Sequence, residues 1–293
     1  HGILHSFPTR RSSDLLMLVA CGEKPEAMLN SARDYLAKND AKAAIIQVKN
    51  ALQANPELPE ARLLLGKALL DTGDVVGAET ELRKALVLKA SQDQVVPILA
   101  RAMLAQGHSK KVVEEFGKTT LAQGPANADL QTTLATAYAA EGQFERSNTA
   151  LSAALSADPT YDPALLMQVR QQATRQDVDG AMAGVDAIIA KSPKNFEAWK
   201  LKGDLTLHLK KQPDEALASF RKSVEVRPDF IAGHAAALRM LFAQNKLEEV
   251  DKQLAGLKAV APNHPQTKFF EAQLAFQRKD FKLARSLSQQ VLK

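Results

Sequence analysis

The sequence predicts an all-α fold, a right-handed superhelix (α-solenoid) of about eight helix-turn-helix units, and three observations carry that expectation. Prolines recur at Pro125, Pro159, Pro193, Pro228 and Pro262, separated by 34, 34, 35 and 34 residues, and Pro56 lies two periods earlier with Ala90 at the skipped position. A fixed period of roughly 20–50 residues is the signature of stacked supersecondary units. Aromatic residues are 5% and glycines only 14 of 293, while Ala, Leu, Gln and Lys recur throughout, a mixture that loses little side-chain freedom in a helix. Finally, small residues return in register: Ala32, Ala44 and Ala51, then Gly66, Ala78 and Ala85, and later Gly203, Ala216 and Ser223.

Each period reads as two helices. Proline, lacking a backbone donor, stops the second helix. A polar turn joins the two, as at Gly73-Asp74, Gly107-His108, Gly142-Gln143 and Asn245-Lys246, where Gly or Asn accepts the left-handed conformation that ends a helix. Closely approaching helices need tiny side chains at the crossing and large ones beside it, here Trp199 and Phe220 in the sixth unit. The expected units are roughly 25–56, 57–90, 91–125, 126–159, 160–193, 194–228, 229–262 and 263–293, the last incomplete. The fifth fits worst, with Gly180 and Gly184 in its second helix. With Tyr35 and Tyr138 at the aromatic position of the first helix, this pattern resembles the tetratricopeptide repeat over nearly the whole chain after residue 24.

The beginning of the chain reads differently. Residues 6–15 resemble the translation of a sequencing-library adapter, so residues 1–15 are set aside as an artefact. Residues 16–20 read as the remnant of a signal peptide. Leu18-Val19-Ala20-Cys21 resembles the lipobox of bacterial lipoproteins, which implies cleavage before Cys21, acylation of its thiol, and a short lipidated linker over 21–24. Several acyl chains hold a protein on a membrane far better than one. Gly22 after the cysteine is expected to direct the protein to the periplasmic face of the outer membrane in a Gram-negative cell envelope.

Composition and spacing argue against catalysis. Charged residues are 24% and the formal net charge is +5, with both signs interleaved, so no basic stripe for nucleic acid is expected. The histidines are not spaced with Cys or carboxylates as zinc ligands are, and no phosphate-binding loop or nucleophile elbow occurs. No catalytic residue, metal, cofactor or small-molecule substrate is expected. A stacked-hairpin solenoid instead presents a groove built by the first helix of each unit. The side chain following the small crossing residue is expected to face it: Arg33, Lys67, Arg101, Thr136, Val169, Asp204, Arg239 and Gln273. Arg33, Lys67 and Arg101, at intervals of 34 residues, form a candidate cationic ladder, joined by Arg239. Guanidinium groups bind carboxylates bidentately, so the expected ligand is an acidic peptide segment or chain carboxylate. Phe242, Phe269 and Phe276 fit either an apolar stretch of groove or the core.

Specific stretches go beyond generic repeats: Cys21 to Pro25, residues 43–53 (AAIIQVKNALQ), residues 60–70 (EARLLLGKALL) and residues 95–101 (VVPILAR). Together they resemble the tetratricopeptide-repeat lipoprotein of the PEP-CTERM/exosortase system, most closely over residues 21–116. That resemblance implies a role in exopolysaccharide production or in sorting proteins with the PEP-CTERM tail, within a longer parent protein. The alternatives are a lipoprotein scaffold for outer-membrane or pilus assembly, or an activator of a cell-wall synthase. All three expect a protein or peptide partner in the groove and a membrane anchor.

Overall fold

A computed structural model describes residues 24–122 and 124–291, so Cys21 and the lipobox lie outside the described residues. Among those described there are sixteen helices and no strand, divided between one compact unit ending at Ser91 and another beginning at Gln92. The first unit stacks the hairpin α1 (Pro25–Ala37) and α2 (Ala41–Ala54) on α3 (Pro59–Asp71) and α4 (Val75–Val87). The second holds α5 (Gln92–Ala105) with α6 (Ser109–Phe116), α7 (Gly124–Ala140) with α8 (Phe144–Ala157), and α9 (Asp162–Thr174) with α10 (Val178–Lys191). It continues through α11 (Phe196–His208) with α12 (Pro213–Val226), α13 (Ile231–Ala243) with α14 (Leu247–Val260), and α15 (Pro265–Gln277) with α16 (Phe281–Val291). Each unit is a solenoid of helical hairpins.

The turn inside each hairpin is a two-residue device that ends one helix and starts the next. Its first residue is left-handed: Gly73 (φ 86°) and Asn39 (φ 58°), but also Gln176 (φ 61°), Lys211 (φ 58°) and Lys279 (φ 63°). In most turns the second residue sends its N–H back five residues, as in Asp40 to Tyr35, Asp74 to Leu69, Asp177 to Gln172 and Asp280 to Ala275, at 2.8–3.0 Å. This bond satisfies a carbonyl orphaned by the end of the first helix. Where that residue is Asp, its carboxylate also accepts from the third residue onward, Asp74 from Gly77 and Asp177 from Gly180. Such a cap contributes about 1 kcal/mol to the second helix.

A second device ties successive hairpins together. The side chain near the start of a first helix donates to the carbonyl six residues back, in the connection between hairpins. Arg62 donates to Pro56 and Trp199 to Pro193, while His234 Nε2 meets the Pro228 carbonyl, each at 2.9 Å; Thr267 donates to Ala261 at 2.7 Å. Chemically unlike residues thus meet one geometric demand.

Inside the hairpins, glycine lets the helices touch. A Cβ on Gly66 would lie 2.5 Å from Leu82, and one on Gly203 would lie 2.4 Å from the Phe220 ring. The fifth hairpin inverts this arrangement, because the crossing position of α9 carries Val169 and Gly184 of α10 leaves room for it. Val169 is therefore buried with Leu166, Val185 and Ile188, and the expectation that it faces the groove is corrected. Arg170 is the exposed residue next to it.

Pro125 also departs from expectation. Rather than ending a second helix, it sits in the first turn of α7, where a missing N–H costs little. The helix before it, α6, stops early at Gly117, where a Cβ would lie 2.4 Å from the Val113 carbonyl. The connection is then pinned by buried Leu121 and by the Ala122 N–H on Asp93, at 3.0 Å.

Candidate groove of the second unit

The expected ladder residues divide into two kinds. Arg33 donates through Nε to Glu60 at 2.8 Å and pairs through Nη2 with the same carboxylate. Arg101 lies 3.5 Å from Asp129, which also accepts a hydrogen bond from Tyr161. Burial pushes the Asp129 carboxyl above its ordinary value, outweighing the lowering effects of Arg101 and the Tyr161 hydrogen bond. Burial, with the nearby carboxylate, also pushes the Tyr161 phenol up. Both arginines thus already hold acids from the next hairpin. Lys67 and Arg239, in contrast, are exposed and without an ionic partner among the described residues. Of the phenylalanines, Phe242 is buried and stacks on Phe270 at 6.1 Å, whereas Phe269 and Phe276 are exposed.

The second unit contains a groove of about 650 Å³ between the hairpins α7–α8 and α9–α10, reaching Glu197 at the start of α11. Its apolar surface comes from Ala139, Phe144, Leu166 and Met167, and Phe144 is 68% exposed. Four hydroxyls lining the groove are already used by the backbone: Thr132 bonds Ala128, Thr136 bonds Thr132, Ser147 bonds Ala135 and Thr174 bonds Arg170, at 2.7–3.0 Å. These bonds leave the floor behaving as an apolar surface. Charge is confined to Arg170, Arg175 and Glu197. Arg170 and Glu197 have no ionic partner among the described residues, and Arg175 only brushes Asn148 at 3.5 Å. A cavity of this size, apolar with a few convergent polar groups, is typical of a ligand site.

Sequence reasoning placed Thr136 on this surface but missed Arg170, Arg175, Phe144 and Met167. The sequence does carry a signal for Arg170, which lies 34 residues after Thr136, but the crossing residue before it is not small and the small-residue rule points to Val169 instead.

Residues 29–94 match the family model described as Tetratricopeptide repeat. No curated protein matches the chain. Among solved structures, human IFIT1, determined as a dimer with m7Gppp-AAAA, aligns at 17% identity with a TM-score of 0.61, over 90% of this chain and 68% of that one. A tetratricopeptide repeat protein from Parabacteroides merdae aligns at 13% identity and TM-score 0.52, over 93% and 100%. The pilF protein of Pseudomonas aeruginosa aligns at 16% identity and TM-score 0.46, over 80% and 90%. At these identities the first two likenesses show the fold alone: an α-solenoid of tetratricopeptide type. Stacked hairpins of this architecture present an extended surface along the solenoid.

Proposed function

We propose that this chain is a non-enzymatic scaffold that holds a segment of a protein partner in the groove between α7–α8 and α9–α10. The observation that carries this reading is the groove itself, with its apolar floor, exposed Phe144 and uncommitted charges. A photo-crosslinking residue at Thr136 is expected to capture partner in cells producing the protein, whereas one at exposed Lys111 of α6 is not. Equal capture at both positions would refute the groove as the docking site.

The cellular setting we propose is the periplasmic side of a Gram-negative outer membrane, with Cys21 lipidated and a role in exopolysaccharide production or PEP-CTERM sorting. Support comes from Leu18-Val19-Ala20-Cys21 and from the quoted stretches over residues 43–101. With residues 16–293 expressed in a Gram-negative host behind a bacterial lipoprotein signal sequence, an alkyne-palmitate label is expected on the wild type and not on Cys21→Ser. A label retained on the serine variant would reject the anchor.

A further inference from the structure

We infer that the groove selects partner segments in which a large apolar side chain stands next to a carboxylate, the carboxylate being read by Arg170 and Arg175. This rests on the groove being the docking site and specifies what it takes. Two features set the ligand chemistry. The floor formed by Ala139, Phe144, Leu166 and Met167 is apolar, and the neighbouring hydroxyls of Thr132, Thr136, Ser147 and Thr174 are bonded to backbone carbonyls, which leaves the amides of Asn148 and Gln171 as the uncharged polar groups of the lining. Filling it removes the exposed Phe144 surface from water, so one large aliphatic or aromatic side chain is the matching occupant.

The charge beside that floor is the second feature. Arg170 and Arg175 lie five residues apart on α9 and its C-terminal cap, both lining the groove, and neither holds a carboxylate. At the same place in the repeat Arg33 is neutralised by Glu60 and Arg101 by Asp129, whereas Lys67 and Arg239 have no ionic partner among the described residues. The acid corresponding to Glu60 in the next hairpin here is Glu197, which lines the same groove but makes no ion pair with Arg170. Unlike Arg33 and Arg101, Arg170 thus stands open, and it does so beside an apolar floor. A partner carboxylate would be bonded bidentately by such a guanidinium, and its approach over an apolar floor strengthens the interaction.

A random dodecapeptide display selected against the protein tests this directly, with three comparison proteins. The peptides retained are expected to carry a large apolar residue adjacent to Asp or Glu. The double variant Arg170→Glu/Arg175→Glu should lose those peptides by at least about tenfold, as befits a lost charge-assisted contact. Arg33→Glu should leave them unchanged. Thr136→Trp, at an exposed position, obstructs the groove without disturbing the core and should abolish the whole selected pool. Peptides blocked by Thr136→Trp but showing no acidic preference would overturn the inference while leaving the groove as the docking site. Peptides indifferent to Thr136→Trp, or no enrichment at all, would overturn both. Circular dichroism of each variant establishes that it is folded.

Discussion

The left-handed residue in each hairpin turn gives a prediction that runs in opposite directions at different turns. Gly73 and Gly142 adopt φ of 86° and 72°, and a Cβ added to either would meet nothing within 4 Å. Replacing them with Ala therefore isolates the backbone term. A left-handed conformation costs a residue with a Cβ about 1–2 kcal/mol. The restricted unfolded chain returns about 0.4–1 kcal/mol, so the net loss is about 0.5–1 kcal/mol for each. Gln176, Lys211 and Lys279 already bear that cost, at φ of 61°, 58° and 63°, with exposed side chains. Their replacement by Gly should gain a similar amount each, about 2 kcal/mol for the triple variant if the separate turns add. Asn245 (φ 54°) is the internal control, since Asn tolerates this conformation and Asn245→Gly should be nearly neutral. Urea denaturation followed by far-ultraviolet circular dichroism reads all of these as midpoint shifts without a change of slope. A triple variant less stable than the parent, or Gly73→Ala without cost, would refute the reasoning.

Other perturbations address packing, connection and charge. Gly203→Ala drives a methyl into the Phe220 ring and should cost about 1–3 kcal/mol, with Phe220→Leu recovering part of the loss in the same denaturation assay. Trp199→Phe keeps the ring but strands the Pro193 carbonyl, and should lower stability by about 1 kcal/mol; no change would remove the hydrogen bond's role in joining hairpins. Burial raises the Glu81 carboxyl, but hydrogen bonds and charges from Lys84 and Arg62 outweigh it and hold it below its ordinary value of 4.5. Its contribution is therefore present above that value and fades as pH falls through the lowered one, so Glu81→Gln should flatten the acid limb of a stability–pH profile. Asp129, raised by burial, acts with the opposite sign: its contribution is present below the ordinary 3.8 and fades as pH rises through the raised value. Asp129→Asn should thus compare more favourably with the parent at neutral pH than at pH values below that ordinary one, as denaturation at several pH values will read.

Much of this architecture is legible in the sequence because its rules are local. Ala32, Gly66 and Gly203 announce helix crossings, and Gly73-Asp74 announces a turn that ends one helix and caps the next. What escapes reading is compensation between distant residues. The turns at Gln176, Lys211 and Lys279 carry no glycine or asparagine, since a backbone bond to the previous helix enforces the conformation at most of these turns. Val169 breaks the small-residue rule, and Gly184 on the neighbouring helix absorbs the excess volume, so that Arg170, in register with Thr136, keeps the groove position. Arg33 and Arg101 look alike and free in a ladder at intervals of 34 residues. Their partners Glu60 and Asp129 lie 27 and 28 residues later, where only the stacked fold brings opposite charges together. A cation's place in the repeat is therefore readable, whereas its availability to a ligand depends on the next hairpin.

The measurement that tests the central claim most directly is the binding of one selected peptide to three proteins: the parent, Thr136→Trp, and the variant with Arg33, Lys67 and Arg101 all reversed to Glu. Fluorescence anisotropy should show affinity abolished by Thr136→Trp and retained by the triple reversal, as expected if the partner lies between α7–α8 and α9–α10. Affinity lost on the triple reversal and kept in Thr136→Trp would contradict that account and return the site to the cationic ladder.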